Sequence, residues 1–482
     1  MFEFIFLIVL PLLTSALCYK VRNIRFQYSV SLSVSILHLL LTFMIFIGWY
    51  KTELPFFFSM DSLSKLFLLV LSNVYFWVVL VSFSYLKHSV SSGREGRKYY
   101  FLLLNFYLFA NTAAIMSSHF GMYWVAAEAT TLSVAPLIYY YRNEEALEAM
   151  WKYLFLVSIG IAFAFIGILF LALSANGSIM EGKQLFFSEF VKNAGVLNPV
   201  WLKASFIFIF VGLSTKIGIA PMHSGDVDAT SNSPSPVAAL MSGSLRITAL
   251  LGVLRILQII QPTSTYEFAK IIMITGGCLS LLVAFIFMFK VNNYKRLLAY
   301  SSVEHLGIIT LGIGIGGLAF LGAMYHVIYN SINKIVLFLT AGSIHRKFRT
   351  REVSKVSDVL NVLPWSGWLL LVSFFAISGI PPFGIFFSEL MIFEGILFSD
   401  KPWILALTMF LLLFIFINMG RTLFRMLYTE GEHHAGNEKE KFEIIHFSAI
   451  VLLVLLIALA VISPEIIRNN IMSIAHDFGV KL

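Results

Sequence analysis

Lys216 lies in FIFIFVGLSTKIGIAPMHSGDVDATSNSPSP, an apolar run that Pro221 interrupts five residues later. A lysine at bilayer depth is costly. An interrupted helix frees backbone polar groups that only a protein-buried or wet cavity can satisfy. A titratable amine beside such a break is a candidate ion or proton site. The alternative is an amine that snorkels to a helix end. Apolar residues on both sides of Lys216 argue against it.

Other ionisable residues fall inside apolar segments. Glu128 sits in GMYWVAAEATTLSVAPLIYYY, with Lys216 as its expected partner. Lys334 sits in YHVIYNSINKIVLFLTAGSI, where His326, Asn330 and Lys334 recur every fourth residue along one slowly drifting helix face. LLAYSSVEHLGIITLGI contributes Glu304 and His305, with Ser301 and Ser302 one turn earlier. Arg246 lies in a further apolar segment, and Glu389 follows Gly379-Ile380-Pro381-Pro382. In a bilayer such residues mark function by default. Arg255 and Arg421 lie nearer segment ends, where snorkelling explains them equally well, and Glu394 suits another face. Arg246 cannot deprotonate and reads as a fixed counter-charge.

Coupling among these groups could move a proton. Burial favours the neutral amine of a lysine, and a nearby carboxylate favours the charged one. At an effective dielectric of ~20, charges ~4 Å apart interact by roughly 4 kcal/mol. Neutralising Glu128 could therefore release the Lys216 proton. Lys334, His305 and His326 could carry it onward and Glu389 deliver it, histidine being suited to a relay near neutral pH.

The elements that hold these groups must be membrane helices. The 482 residues are 59% hydrophobic and 12% charged, with a mean hydropathy of +0.85. This composition excludes a soluble globule and predicts an all-α polytopic membrane protein. A ruler of about 20 apolar residues gives about fourteen spans: 2–19, 28–49, 62–86, 98–117, 120–141, 151–175, 203–222, 236–260, 267–290, 297–315, 318–342, 366–397, 403–428 and 444–468. The first reads as a membrane helix, not a removed signal, since no basic segment precedes it. The least clear boundaries are the tight pairs at 117–120 and 315–318.

Two spans read as discontinuous. Span 7 breaks at Pro221 and again around Pro234 and Pro236; span 12 breaks at Pro381 and Pro382. Five spans separate the breaks, which predicts two inverted five-helix repeats. The chain then divides into residues 1–97 (spans 1–3), 98–260 (spans 4–8), 261–428 (spans 9–13) and 429–482 (a loop and span 14).

The net charge of +8 reflects short basic loops, not nucleic-acid binding. Loops after odd-numbered spans carry Lys20, Arg22, Arg25, Lys87, Arg94, Arg97, Arg142, Lys290, Arg346, Lys347 and Lys439, whereas Lys51, Lys183, Lys192 and Lys401 are among the few in the even ones. The positive-inside bias predicts an inner-membrane protein with both termini on the outer side. Cys18 and Cys278 offer no metal or iron–sulfur spacing. No nucleotide-binding glycine motif is present either. No cofactor, metal or catalytic residue is expected in this chain. His433-His434, in the polar stretch 429–443, reads as a solvated loop.

The Glu128 segment, STKIGIAPMHSGDVDATSNSPSPVAALMSG, RLLAYSSVEHLG, HVIYNSINKIVLFLTAGSI and ISGIPPFGIFFSELMIF carry a family likeness. The chain resembles the antiporter-like ion-translocating subunits of respiratory complex I, of multisubunit cation/proton antiporters (their D component) and of membrane-bound hydrogenases. YSSVEHLG, SPSPVAALMSG and GIPPFGIFFSE most resemble the hydrogenase-4 component F branch. The likeness covers about residues 120–400 and implies fourteen helices with inverted repeats. It also implies Glu128 and Lys216 as an input pair, Lys334 as the central lysine and Glu389 as the terminal group.

Three departures stand out. Arg246 replaces a common lysine. Ser224-Gly225-Asp226 replaces Trp-Leu-Pro after His223. The chain also ends soon after span 14, as in middle-type subunits without a long lateral helix. The resemblance implies a non-catalytic proton-translocating subunit of a redox-driven complex, with other membrane subunits and peripheral redox subunits as partners and protons, or Na+, as the ion. The alternative is a cation/proton antiporter subunit, or a component of proton-coupled bicarbonate uptake, without redox chemistry.

Overall fold

The computed structural model describes residues 5–49, 57–88, 94–175, 185–429 and 440–480. His433, His434, Lys51, Lys183 and Lys439 lie outside them. Helix dominates, and no strand occurs among the described residues beyond isolated bridges. The first helices are α1 (Leu10–Lys20), α2 (Ile24–Phe46), α3 (Ser62–His88), α4 (Arg94–Met116), α5 (Phe120–Ile138) and α6 (Glu144–Ser174). Then come α7 (Pro199–Ile217), α8 (Ser224–Asn232), α9 (Ser235–Ile260), α10 (Tyr266–Met288), α11 (Tyr294–Ile315) and α12 (Gly317–Phe348). The chain continues through α13 (Pro364–Ile377), α14 (Gly384–Leu397), α15 (Trp403–Tyr428), α16 (Ile444–Ile462) and α17 (Glu465–Asp477).

Among the described residues, eleven helices are long and apolar enough to cross a membrane, which makes the chain an all-α, multi-pass membrane protein. Three of the expected spans fall short of that measure. The first is short. The fifth, α5, carries Glu128, Thr130 and Thr131 within 19 residues. The twelfth is split into α13 and α14. The tight connections are real breaks: residues 117–119 separate α4 from α5, and Gly316 (φ +83°) separates α11 from α12.

Burial sorts the helices into an inner and an outer set. The membrane-length windows of α9 and α12 are fully buried and that of α11 is 94% buried, against 39–44% for α2, α6, α10, α15 and α16. The inner three carry Arg246, Glu304, His305, His326 and Lys334. Around them, α4 packs on α5, α6 on α7, α10 on α11 and α12 on α14. The closest approaches use glycine. A Cβ on Gly160 (α6) would collide with Thr215, and one on Gly212 (α7) with the Gly160 carbonyl. Lipid tails supply no hydrophobic drive between helices, so this close contact holds them together. It also fixes the helix that ends in Lys216.

Two features were not expected from sequence. A π turn, Met241–Leu245, lies inside α9 immediately before Arg246. Beyond α16, α17 tucks its buried Ile471, Ile474 and Ala475 against α3 and α12. Ser473 Oγ lies 2.8 Å from Ser62 Oγ. A ruler for long apolar runs passes over a 13-residue amphipathic helix.

Candidate functional site

α7 ends at Ile217 because Gly218, at φ +85°, adopts the left-handed conformation that terminates helices at little cost. Lys216 is thus held in the last turn of the helix, one residue from its end, and is 1% exposed. Its Nζ donates to the Ala127 carbonyl and the Thr130 hydroxyl, and to Thr131 Oγ1 at 3.0 Å. All three acceptors belong to α5. The expected Glu128–Lys216 ion pair does not form among the described residues. Glu128 Oε1 instead accepts a bond from Ser158 Oγ on α6 at 2.8 Å.

Helical spacing explains the difference. Glu128 lies three residues after Val125 and four before Leu132, both more than half exposed, so it shares the outer face of α5. Ala127, Thr130 and Thr131 face α7. The two charges still lie within electrostatic reach of each other. Glu128→Gln should therefore weaken proton transport partially, by no more than about tenfold. The readout is proton uptake by membrane vesicles that contain the assembled variant. Complete loss in an assembled variant would make Glu128 itself a carrier.

Arg246, expected as a fixed counter-charge, is fully buried and has a buried partner. Its NH2 lies 2.5 Å from Asp226 Oδ2 on α8 and 3.1 Å from Thr230 Oγ1. Asp226 was not singled out from sequence as its partner. The available signal was an acidic residue between the break at Pro221 and the start of α9. Ser224, Gly225 and Asp228 of α8 line an open surface groove with Glu144, Glu148 and Lys152.

The third cluster spans α11, α12 and α14. Lys334 Nζ donates to Ser301 Oγ at 2.5 Å, and Glu304 and Arg246 lie within its electrostatic reach. His305 Nδ1 and His326 Nε2 are 2.9 Å apart. His326 Nδ1 meets Ser388 Oγ at 3.0 Å. Ligand atoms of His305, His326 and Glu389 all lie within 4.8 Å of one another. Two imidazoles and a carboxylate so arranged could pass a proton or hold a divalent cation. Asn330, on the same face of α12, is buried with its carbonyl oxygen unpartnered.

Glu389 reaches back across the second break. α13 ends at Ile377, α14 begins at Gly384, and Gly379 between them has φ +65°. A Cβ on Gly379 would strike the Glu389 carboxylate. Gly379→Ala should displace Glu389 and cut transport at least about tenfold. Gly48→Ala is the control: its φ is +82°, but a Cβ there meets nothing within 4 Å. Both variants carry roughly 1–2 kcal/mol of backbone strain, so equal transport in the two would rule out a role for Glu389 placement.

The prolines fall into two groups. Pro221, Pro381 and Pro382 lie in the non-helical gaps. Pro234 and Pro236 do not break a helix; they start one. α8 has already ended at Asn232, Pro234 immediately precedes α9, and Pro236 occupies its first turn. That position suits proline, whose missing N–H has no helical partner there.

Arg255 is tied down away from these clusters, by a two-pronged contact with Asp61 and a bond to Ser64 Oγ at 2.7 Å. Burial raises the Asp61 carboxyl, but the guanidinium outweighs it and holds it below the usual carboxylate range. This is a clamp between α9 and the start of α3.

Residues 117–415 match the family described as NADH:quinone oxidoreductase/Mrp antiporter, TM. The chain is 33% identical over 380 residues to the hydrogenase-4 component F homolog of Methylacidiphilum infernorum, covering 77% of this chain and 80% of that one. A chain of the membrane-bound sulfane sulfur reductase, an archaeal respiratory membrane complex, superposes with a TM-score of 0.87 at 21% identity, covering 99% of this chain and 97% of that one. A chain of the Mrp complex from Dietzia sp. DQ12-45-1b gives 0.85 at 16% identity, covering 99% and 98%.

Proposed function

Because the chain belongs to the NADH:quinone oxidoreductase/Mrp antiporter transmembrane family, we propose that it is the proton-translocating membrane subunit of a redox-driven complex of the membrane-bound hydrogenase or complex-I type. One observation carries this reading. Lys216, Arg246, Glu304, His305, His326, Lys334 and Glu389 are all buried, on helices that pack on one another, in a chain whose exterior is apolar. Charges at that depth are costly unless used.

In this reading Glu128 sets the charge state of Lys216, and Lys334 receives the proton near Ser301 and Glu304. His305 and His326 pass it to Glu389, which releases it at the second break. The groove beside Ser224 and Asp228 is the input side. The basic loops after odd-numbered spans favour a cytoplasmic input and termini on the outer side of the cell membrane. The paired packing of α4 with α5 and α6 with α7, followed by α10 with α11 and α12 with α14, supports two inverted repeats with boundaries at 98–260 and 261–428. Redox chemistry then belongs to partner subunits.

The test is purification of the tagged protein from native membranes. The expected result is co-purification with cofactor-bearing subunits and uncoupler-sensitive proton uptake during their redox reaction. Recovery with antiporter or carbon-uptake subunits alone, and ion exchange without electron transfer, would replace this reading by a redox-independent transporter.

A further inference from the structure

We infer that Asp226, on α8 just past the first helix break and held by Arg246, is a second buried proton-binding site, the counterpart of Glu389 at the other break. The inference rests on the proton-translocating reading and adds a carrier to it.

The two breaks are built alike. At the second, the positive-φ Gly379 lies against the carboxylate of Glu389, which comes from the helix half that follows. At the first, Gly218 also has positive φ, and a Cβ on it would lie 2.9 Å from Asp226 Oδ2 and 3.8 Å from Arg246 Nε. Asp226 likewise comes from the following helix, α8. In each case a side chain on the glycine would fill the space that the carboxylate occupies.

The pair is not built as a structural clamp. A buried ion pair that only stabilises needs its remaining polar atoms satisfied, because each unpartnered one is costly in a dry interior. Asp226 and Arg246 are both 0% exposed. Arg246 NH2 lies 2.5 Å from Oδ2, but Asp226 Oδ1 and Arg246 Nε and NH1 have no hydrogen-bond partner. The Arg255–Asp61 clamp differs. There both carboxylate oxygens accept guanidinium bonds and a serine hydroxyl accepts a third, which leaves Nε of Arg255 as the unpartnered atom.

The position also suits a carrier. Lys216 lies two residues before Gly218, on the α7 side. From α6, the buried Tyr153 hydroxyl has no hydrogen-bond partner and stands within electrostatic reach of Asp226, Glu128 and Arg246. From α9, Arg246 reaches the field of Lys334 on α12. The π turn that sets Arg246 packs Gly243 against the Ser331 carbonyl of α12, one turn before Lys334. On α8 itself, Asp228 points instead to Lys152 and Arg296 at the surface. Arginine does not release its proton, so a proton crossing from the α7 side to α12 needs another acceptor. Asp226 is the carboxylate in contact with Arg246. In the step, an N–H bond of the Lys216 ammonium breaks as an O–H bond forms on the Asp226 carboxylate, and that O–H bond then breaks as an N–H bond forms on the neutral amine of Lys334. No electrons move.

The test compares Asp226→Asn, Asp226→Glu and the neutral double variant Asp226→Asn/Arg246→Gln in the intact complex, reading proton uptake and the infrared carbonyl band of protonated carboxylic acid after a pH step. Asp226→Asn should lower proton uptake roughly hundredfold and remove one carbonyl band, whereas Asp226→Glu keeps uptake and shifts the band. The double variant should assemble and still fail to pump. Restored pumping in the double variant would reduce the pair to a structural charge balance and overturn the inference, as would a carbonyl spectrum unchanged by Asp226→Asn. A band that responds to Na+ rather than to protons would overturn the choice of ion. If Asp226→Asn does not assemble, loss of pumping with an unshifted band in Asp226→Glu decides against it. If the wild-type complex moves no protons, the broader functional reading has failed, and the pH-step spectrum still tests Asp226 by itself.

Discussion

Lys216→Met should abolish coupled proton movement while the protein still assembles. Methionine fills the space of the lysine stem, and its thioether is nearly isosteric with the chain that reaches α5. The helix contacts survive, because Gly160 and Gly212 hold α6 against α7 independently of the amine. What disappears is the group that donates to Ala127, Thr130 and Thr131. The Ala127 carbonyl keeps the Thr130 hydroxyl as a donor at 2.7 Å, so what the amine leaves behind is little more than the Thr131 hydroxyl. The expected loss is at least about a hundredfold in protons moved per electron pair. It is measured in vesicles driven by the complex's own redox reaction, with assembly checked by co-purification. Normal pumping from a well-assembled variant would remove Lys216 from the path.

Glu389→Gln should have a comparable effect with a different signature. The carboxylate sits against Gly379, within 4.8 Å of the donor atoms of His305 and His326. Glutamine keeps the size and most hydrogen-bonding capacity but cannot take up and release a proton. Upstream groups are untouched, so proton uptake on the input side should persist for a single turnover while release on the far side falls by roughly a hundredfold. Indicators trapped inside and placed outside the vesicles separate the two events. Full steady-state pumping in this variant would sink the role of Glu389. Loss of both uptake and release would place it at the input instead.

The sequence made the broken helices legible because glycine and proline act locally. Gly218, Pro221, Gly379, Pro381 and Pro382 lie in the gaps wherever the rest of the chain packs. The buried ionisable residues were legible for a similar reason: an apolar flank of 10 or so residues on each side implies depth without any contact being known. Partners were harder to read. Glu128 and Lys216 lie on adjoining helices, but which face of α5 turns toward α7 depends on the packing of α6, and a rotation of one residue separates a carboxylate from a carbonyl. Asp226 was noted as part of Ser224-Gly225-Asp226 but not as a charge partner, because it lies in a short polar segment that looks like a loop. Only the fold shows that α8 returns into the protein and buries it. The π turn before Arg246 has no glycine or proline signature beyond Gly243, and α17 is too short and too amphipathic for a membrane ruler.

The most direct test of the account is proton movement by the purified, reconstituted complex in sodium-free vesicles, followed with a pH-sensitive dye while its redox reaction runs. The account predicts a pH gradient that grows with electron transfer, collapses on adding an uncoupler and is absent with the Lys216→Met subunit. Redox turnover at the normal rate with no pH gradient, or a gradient that appears only when Na+ is added, would contradict it.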